Sequence, residues 1–232
     1  MIELKQIWLL IKTGYTKKKY FGLKSKILFI TKILFVLILF KIVSIILIGL
    51  LEGLVVFNMP ENIDMLKINE FTLLKRILII IILSPVLEEL AFRIGLKFSK
   101  SNFIIMLMGM SFFISRSFFK WEWLNSIMLI TLVGILLYVV IKEKSISKLT
   151  NFWLNNPKLI FYSLLISFSY MHLKNYNISY ELLLFSPIIL LPNILGGIIY
   201  SYVRLSLGTF LSILLHCLNN GIPLMLSNTL LE

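Results

Sequence analysis

Several separate apolar stretches of about 17–25 residues recur along this chain, each long enough as a helix to cross the ~30 Å hydrocarbon core of a bilayer. In lipid, backbone polar groups must be satisfied within the spanning structure, so such stretches form helices, and the short alternating strands of a barrel are absent. The composition agrees: 59% of the residues are hydrophobic, against roughly 45–50% in a soluble domain. The expected class is all-α, a polytopic helical membrane protein with about seven to eight transmembrane helices around a buried polar site.

The order of segments follows from charge and polarity. Residues 1–27 form a basic N-terminal segment, with Ile7-Trp8-Leu9-Leu10-Ile11 followed by Lys17-Lys18-Lys19, Lys24 and Lys26. It suits either an interfacial helix on an anionic leaflet or a positive flank that keeps this end in the cytoplasm. It lacks a small-residue cleavage site, so no removable signal peptide is expected. Residues 28–232 read as a single helical membrane domain, its motif-bearing core at about 73–229. The first span, 28–57, contains Lys32 and Lys41, both expected to snorkel at its cytoplasmic end, with Glu52 toward the opposite interface. A polar connection at 58–72 holds Asn58, Pro60, Glu61, Asp64 and Glu70.

Further spans are expected at 73–97, 103–115 (ended by Arg116 and Lys120), 123–142, 158–174, 181–203 and 206–229. Trp121 and Trp123 suit an interface, and a polar stretch precedes Pro157. Pro187, Pro192 and Gly196-Gly197 make the span at 181–203 irregular, with the glycines allowing close packing. The net charge of +12 sits at helix ends and near the amino terminus, which fits topology and anionic lipid and gives no nucleic-acid surface. Cys217 is the single cysteine, so neither an intramolecular disulfide nor a cysteine zinc cluster is expected. Richness in Ile, Leu, Lys, Phe and Asn suits an AT-rich bacterial genome, hence a multi-pass protein of the bacterial cytoplasmic membrane.

Within this apolar chain, Ser84-Pro85-Val86-Leu87-Glu88-Glu89-Leu90-Ala91-Phe92-Arg93 stands apart. An ionisable group at the bilayer centre costs at least ~2.5–3.5 kcal/mol, so it faces a protein interior or wet cavity with a partner. On a helix, Glu89 and Arg93 lie one turn apart and can pair, leaving Glu88 on a different face as the candidate acid or base. Pro85 removes a backbone donor one turn earlier and is expected to kink the helix.

Two histidines serve the whole chain, and both lie in apolar segments. Phe168 precedes His172 by one turn and can wall a cavity beneath it, while His216 and Asn220 share a helix face. Glu88, His172, His216 and Asn220 form a set able to hydrolyse an amide. A carboxylate or imidazole takes a proton from water, a histidine protonates the leaving amine, and Asn or His donates to the oxyanion. The set Glu88, His172 and His216 could alternatively hold a divalent metal such as zinc that activates the water. An alternating topology sets His172 nearer the outer side than Glu88, so the span at 158–174 must extend further or its boundaries must shift.

These residues resemble the motifs of the CPBP family of intramembrane proteases, which includes type II CAAX prenyl endopeptidases and relatives implicated in bacteriocin self-immunity. The family's E-E-x-x-x-R is similar to Glu88-Glu89-Leu90-Ala91-Phe92-Arg93, its F-x-x-x-H to Phe168 and His172, and its H-x-x-x-N to His216 and Asn220. The resemblance implies that Glu88 activates water with His172, that His216 and Asn220 stabilise the oxyanion, and that Glu89 and Arg93 support them. It leaves open whether a metal takes part. The implied partner is a hydrophobic or membrane-associated peptide or protein, with the lipid bilayer around it. The alternatives are a non-catalytic immunity or binding protein of the same fold, and a bis-histidine haem protein or ion transporter.

Overall fold

The computed structural model describes residues 2–229 apart from 20, 55, 64, 65, 67, 69, 118 and 120, with the backbone alone at 2 and 226–229. Asp64 and Lys120 therefore lie outside the described residues. The architecture is all-α, and among the described residues there is no strand, only an isolated bridge between Asn62 and Tyr176.

Helix α1 (Ile2–Thr13) leads to α2 (Leu23–Gly53), which is apolar on every side. Only one face of α2 is covered: Phe29, Ile33, Leu37, Ser44 and Ile48 recur at helical spacing and pack inward. The rest, including Phe35, Val43, Ile45 and Leu50, is exposed, as lipid contact requires. Helix α3 is continuous but changes register, running as Leu73–Arg76, a π-helical segment Ile77–Leu83 and an α-helical segment Ser84–Phe92. A 3-10 turn, Ile94–Leu96, ends it.

Helix α4 (Lys100–Ser117) crosses α3 where Gly109 meets Ala91; a Cβ on Gly109 would stand 2.8 Å from the Ala91 Cα. Helix α5 (Trp123–Val140) buries only Ser126 and Gly134, eight residues apart on one face. Ser126 Oγ accepts from Ser115 Oγ at 2.9 Å, so α5 leans on α4 through its smallest side chains while its large apolar ones face outward. Helix α6 (Glu143–Asn155) occupies the stretch read from the sequence as a polar connection. Its stripe Ile146, Leu149 and Trp153 follows helical spacing between exposed charges, and Trp153 Nε1 donates to Gly95 O at 2.7 Å.

Helix α7 (Pro157–Met171) ends in a 3-10 turn that begins at His172. Helices α8 (Tyr180–Ile189) and α9 (Leu191–Leu207) divide the expected span at 181–203 and bend by 43° at the break. Pro187 lies inside α8 and Pro192 opens α9, as the sequence led one to expect of this irregular segment. Gly208, at φ +107°, turns the chain into α10 (Thr209–Thr229).

The core forms around α9, which is buried almost continuously from Gly196 to Ser206. Ile33 and Leu37 of α2, Phe161 and Leu165 of α7 and Leu215 of α10 pack against its Ile199, Tyr202 and Val203. Ile7 and Leu10 of α1 join them, so the N-terminal segment is docked into the bundle instead of lying free.

Among the described residues two helices, α2 and α5, are long and apolar enough to cross a membrane, and a third span results if α8 and α9 count as one bent crossing. This marks a membrane protein but gives fewer crossings than the seven to eight read from the sequence. The difference has local causes: α7 has 15 residues, α3 changes register inside its span, and charged residues close both ends of α4.

Candidate functional site

The register change in α3 traces to one residue. Ser84 N–H donates to Ile79 O, an i to i−5 bond, and in that register the carbonyl of Ile80 would look to residue 85, a proline without an N–H. The orphaned Ile80 carbonyl is instead taken by Asn220 Nδ2 at 3.2 Å. Asn219 Nδ2 donates to Asn220 Oδ1 at 3.2 Å, so the Asn220 amide is held from both ends and keeps one N–H to offer. Pro85 thus leaves a freed carbonyl that anchors Asn220, at the turn where the sequence led us to expect a kink.

The two glutamates part as helical geometry demands. Glu89 is fully buried and collects three donors: Ser212 Oγ at 2.6 Å, His216 Nδ1 at 3.1 Å and the Arg93 guanidinium, whose Nε lies at 3.6 Å. Ser212 Oγ also lies 3.0 Å from Tyr200 O. Arg93 is 1% exposed and stacks over the Phe168 ring at 3.4 Å. Since a carboxylate only accepts, Glu89 fixes the proton of His216 on Nδ1 and turns Nε2 toward Glu88 Oε2, 3.6 Å away. Tyr200 stacks on the same imidazole at 4.1 Å and holds its plane.

His172 is oriented by its own helix. Its Nδ1 lies 2.9 Å from Phe168 O, and because a carbonyl only accepts, Nδ1 carries the proton and Nε2 keeps its lone pair. The Phe168 ring stands edge-on to it at 4.8 Å. By closing α7, His172 reaches the level of Glu88, which removes the mismatch in depth that an alternating topology implied.

Glu88, His172, His216 and Asn220, carried on α3, α7 and α10, line one cavity of about 60 Å³ together with Phe168. Glu88, His172 and Asn220 also line a neighbouring cavity of about 170 Å³, which reaches Ser84, Asn62 and Lys174. Glu88 Oε2 is buried without a hydrogen-bond partner among the described residues. In comparisons with known proteins, no family model, no curated protein and no solved structure matches the chain.

Three residues of the site went unread in the sequence: Lys41, Ser212 and Tyr200. Lys41 lines the 60 Å³ cavity and feels the charge of Glu88, whereas Lys32, also expected to snorkel, is exposed. The signal was present: Lys41 stands four residues after Leu37 and three before Ser44, on the inward stripe of α2. Ser212 and Tyr200 were missed for a different reason, since a serine and a tyrosine in apolar helices carry no pattern of their own.

Among the described residues no group of three or more His, Cys, Asp or Glu side chains is placed to hold a metal ion. Glu88, His172 and His216 share a cavity, and with Nδ1 of each ring engaged it is the two Nε2 atoms and the Glu88 carboxylate that could ligate an ion there.

Proposed function

We propose that this chain is an intramembrane endopeptidase of the CPBP type, cleaving a hydrophobic or membrane-associated peptide, and that it crosses the cell membrane several times. The observation that carries the reading is the shared cavity of Glu88, His172, His216 and Asn220, drawn from three helices. A water held between Glu88 and the bare Nε2 of His172 gives up a proton to the carboxylate as its oxygen attacks the scissile carbonyl. The free N–H of Asn220 donates to the oxyanion that develops, and His216 stabilises it only when its Nε2 also carries a proton. Glu88 then returns the proton to the leaving amine, so the peptide bond breaks and one water is consumed. Glu89 and Arg93 stay out of the reaction and hold His216 in place.

An apolar recess supports the substrate class. A cavity of about 250 Å³ lined by Met110, Ile114 and Tyr170 shares Phe92, Phe113 and Met171 with the 170 Å³ cavity, so an apolar side chain can sit beside the polar centre.

The test is cleavage of a transmembrane peptide library by the purified chain in proteoliposomes. Glu88→Gln and His172→Ala should each lower the rate by ~10²–10⁴ while folding is kept. Equal cleavage by wild type and both variants would remove the proposal. A zero-cleavage variant that still confers protection in cells would favour the non-catalytic immunity reading.

A further inference from the structure

Between Glu3 and Glu52 the chain has no acidic residue, and most of its N-terminal lysines fall in that interval. The fold then brings more cations to the same place. Lys19 N–H donates to Ser206 O at 2.9 Å, stitching the α1–α2 connection to the end of α9. Lys97 Nζ donates to Leu205 O at 2.9 Å, Arg204 donates to Ile94 O at 3.2 Å, and Lys18, Lys97 and Arg204 stand close enough to repel one another.

Lys18, Lys19 and Lys26 line a cavity of about 560 Å³ with Phe21, Gly22 and Leu207, and no carboxylate takes part in the lining. Lys19 is braced over the Phe29 ring at 4.6 Å, which fixes its ammonium. Behind it Arg204 is only 6% exposed, yet its Nε has no hydrogen-bond partner among the described residues. The buried hydroxyls of Ser206 and Thr16 have none either. These three lie outside the lining of the cavity, and it is the gathered like charges of its lysines that call for a counter-anion.

The position indicates the source of that anion. The cavity lies at the start of α2, where Leu23, Ile27 and Leu28 are 76%, 60% and 55% exposed and apolar, so it sits at the level of lipid headgroups. We propose that this pocket binds the phosphate of an anionic lipid, one headgroup seated among Lys18, Lys19 and Lys26. Lys26 stands on α2 and the α1–α2 connection that carries Lys18 and Lys19 is tied to the end of α9, which separates this site from diffuse attraction of a basic tail. Nothing in it depends on proteolysis.

The experiment uses the full chain in an uncharged detergent with dioleoylphosphatidylglycerol, dioleoylphosphatidylcholine or inorganic phosphate added. Native mass spectrometry counts bound lipid and thermal unfolding reports stabilisation. Phosphatidylglycerol should saturate at one tightly held lipid and raise the unfolding midpoint. Lys18→Gln/Lys26→Gln should weaken that apparent affinity roughly tenfold or more. Lys142→Gln/Lys144→Gln, removing equal charge from the exposed α5–α6 connection and first turn of α6, should bind as wild type does. Should the pocket double variant fail to fold, Lys26→Gln alone and the wild-type ligand series decide. Equal effects of phosphatidylcholine, or equal losses in both double variants, overturn the pocket; full stabilisation by inorganic phosphate alone overturns the lipid source.

Discussion

Asn220 donates to the carbonyl of Ile80 across 3.2 Å, joining α10 to the one turn of α3 that Pro85 leaves without a donor. A residue of the candidate oxyanion site is thus positioned by a backbone defect 140 residues away in sequence. Pro85→Ala supplies the missing N–H and gives Ile80 or Ile81 a partner inside the helix. Asn220 is then released, and cleavage should fall ~10–100-fold, while thermal stability holds or rises. Unchanged cleavage in Pro85→Ala would break the link between register and site.

Ser212 makes the shortest bond to buried Glu89, at 2.6 Å. Removing a hydrogen bond to a buried charge costs about 1.5–3 kcal/mol, so Ser212→Ala should unfold at lower denaturant concentration. A loss within error of zero would mean that Arg93 and His216 satisfy the carboxylate by themselves.

Lys41 faces Glu88 across the small cavity without closing an ion pair. Lys41→Met removes the second cation near two glutamates, and cleavage should drop by about tenfold or more as the charge around Glu88 changes. Lys41→Arg should recover part of it. A thermal double-mutant cycle with Glu88→Gln should give a coupling of about 0.5–3 kcal/mol even if no substrate is ever found; strict additivity would separate the two residues.

Gly197 lets α9 approach α7 and Arg93. A Cβ there would lie 2.6 Å from Leu165 Cδ1, 3.2 Å from Phe168 Cδ1 and 3.3 Å from Arg93 Nη2. Gly197→Ala should destabilise by about 1–3 kcal/mol through overpacking, and Leu165→Ala in the same chain should relieve part of it. Melting curves of the single and double variants check this, and a neutral Gly197→Ala would contradict the tight packing.

How much of this could be read beforehand depended on the range of the signal. The Glu89–Arg93 pair and the different heading of Glu88 follow from 3.6 residues per turn, and the shared face of His216 and Asn220 does too. The break between α8 and α9 follows from Pro187 and Pro192. Helix α6 was hidden because Lys144, Ser147 and Lys148 interrupt an apolar stripe of only three or four residues. The count of crossings failed because hydropathy sees apolar length, whereas α3 and α7 are shaped by register and by their neighbours. Ser212 and Tyr200 gain meaning only when α9 and α10 fold against α3, a relation no local window contains.

The buried acid Glu89 has a history as well as a place. Its hydroxyl and imidazole donors arrive 123 and 127 residues later, on the last helix. During synthesis the carboxylate therefore has to wait more than 120 residues for them, and Arg93, four residues on and made almost at once, is the companion already to hand. Without α10 the cluster around Glu89 is left unassembled, so whatever chemistry the site supports waits for that helix.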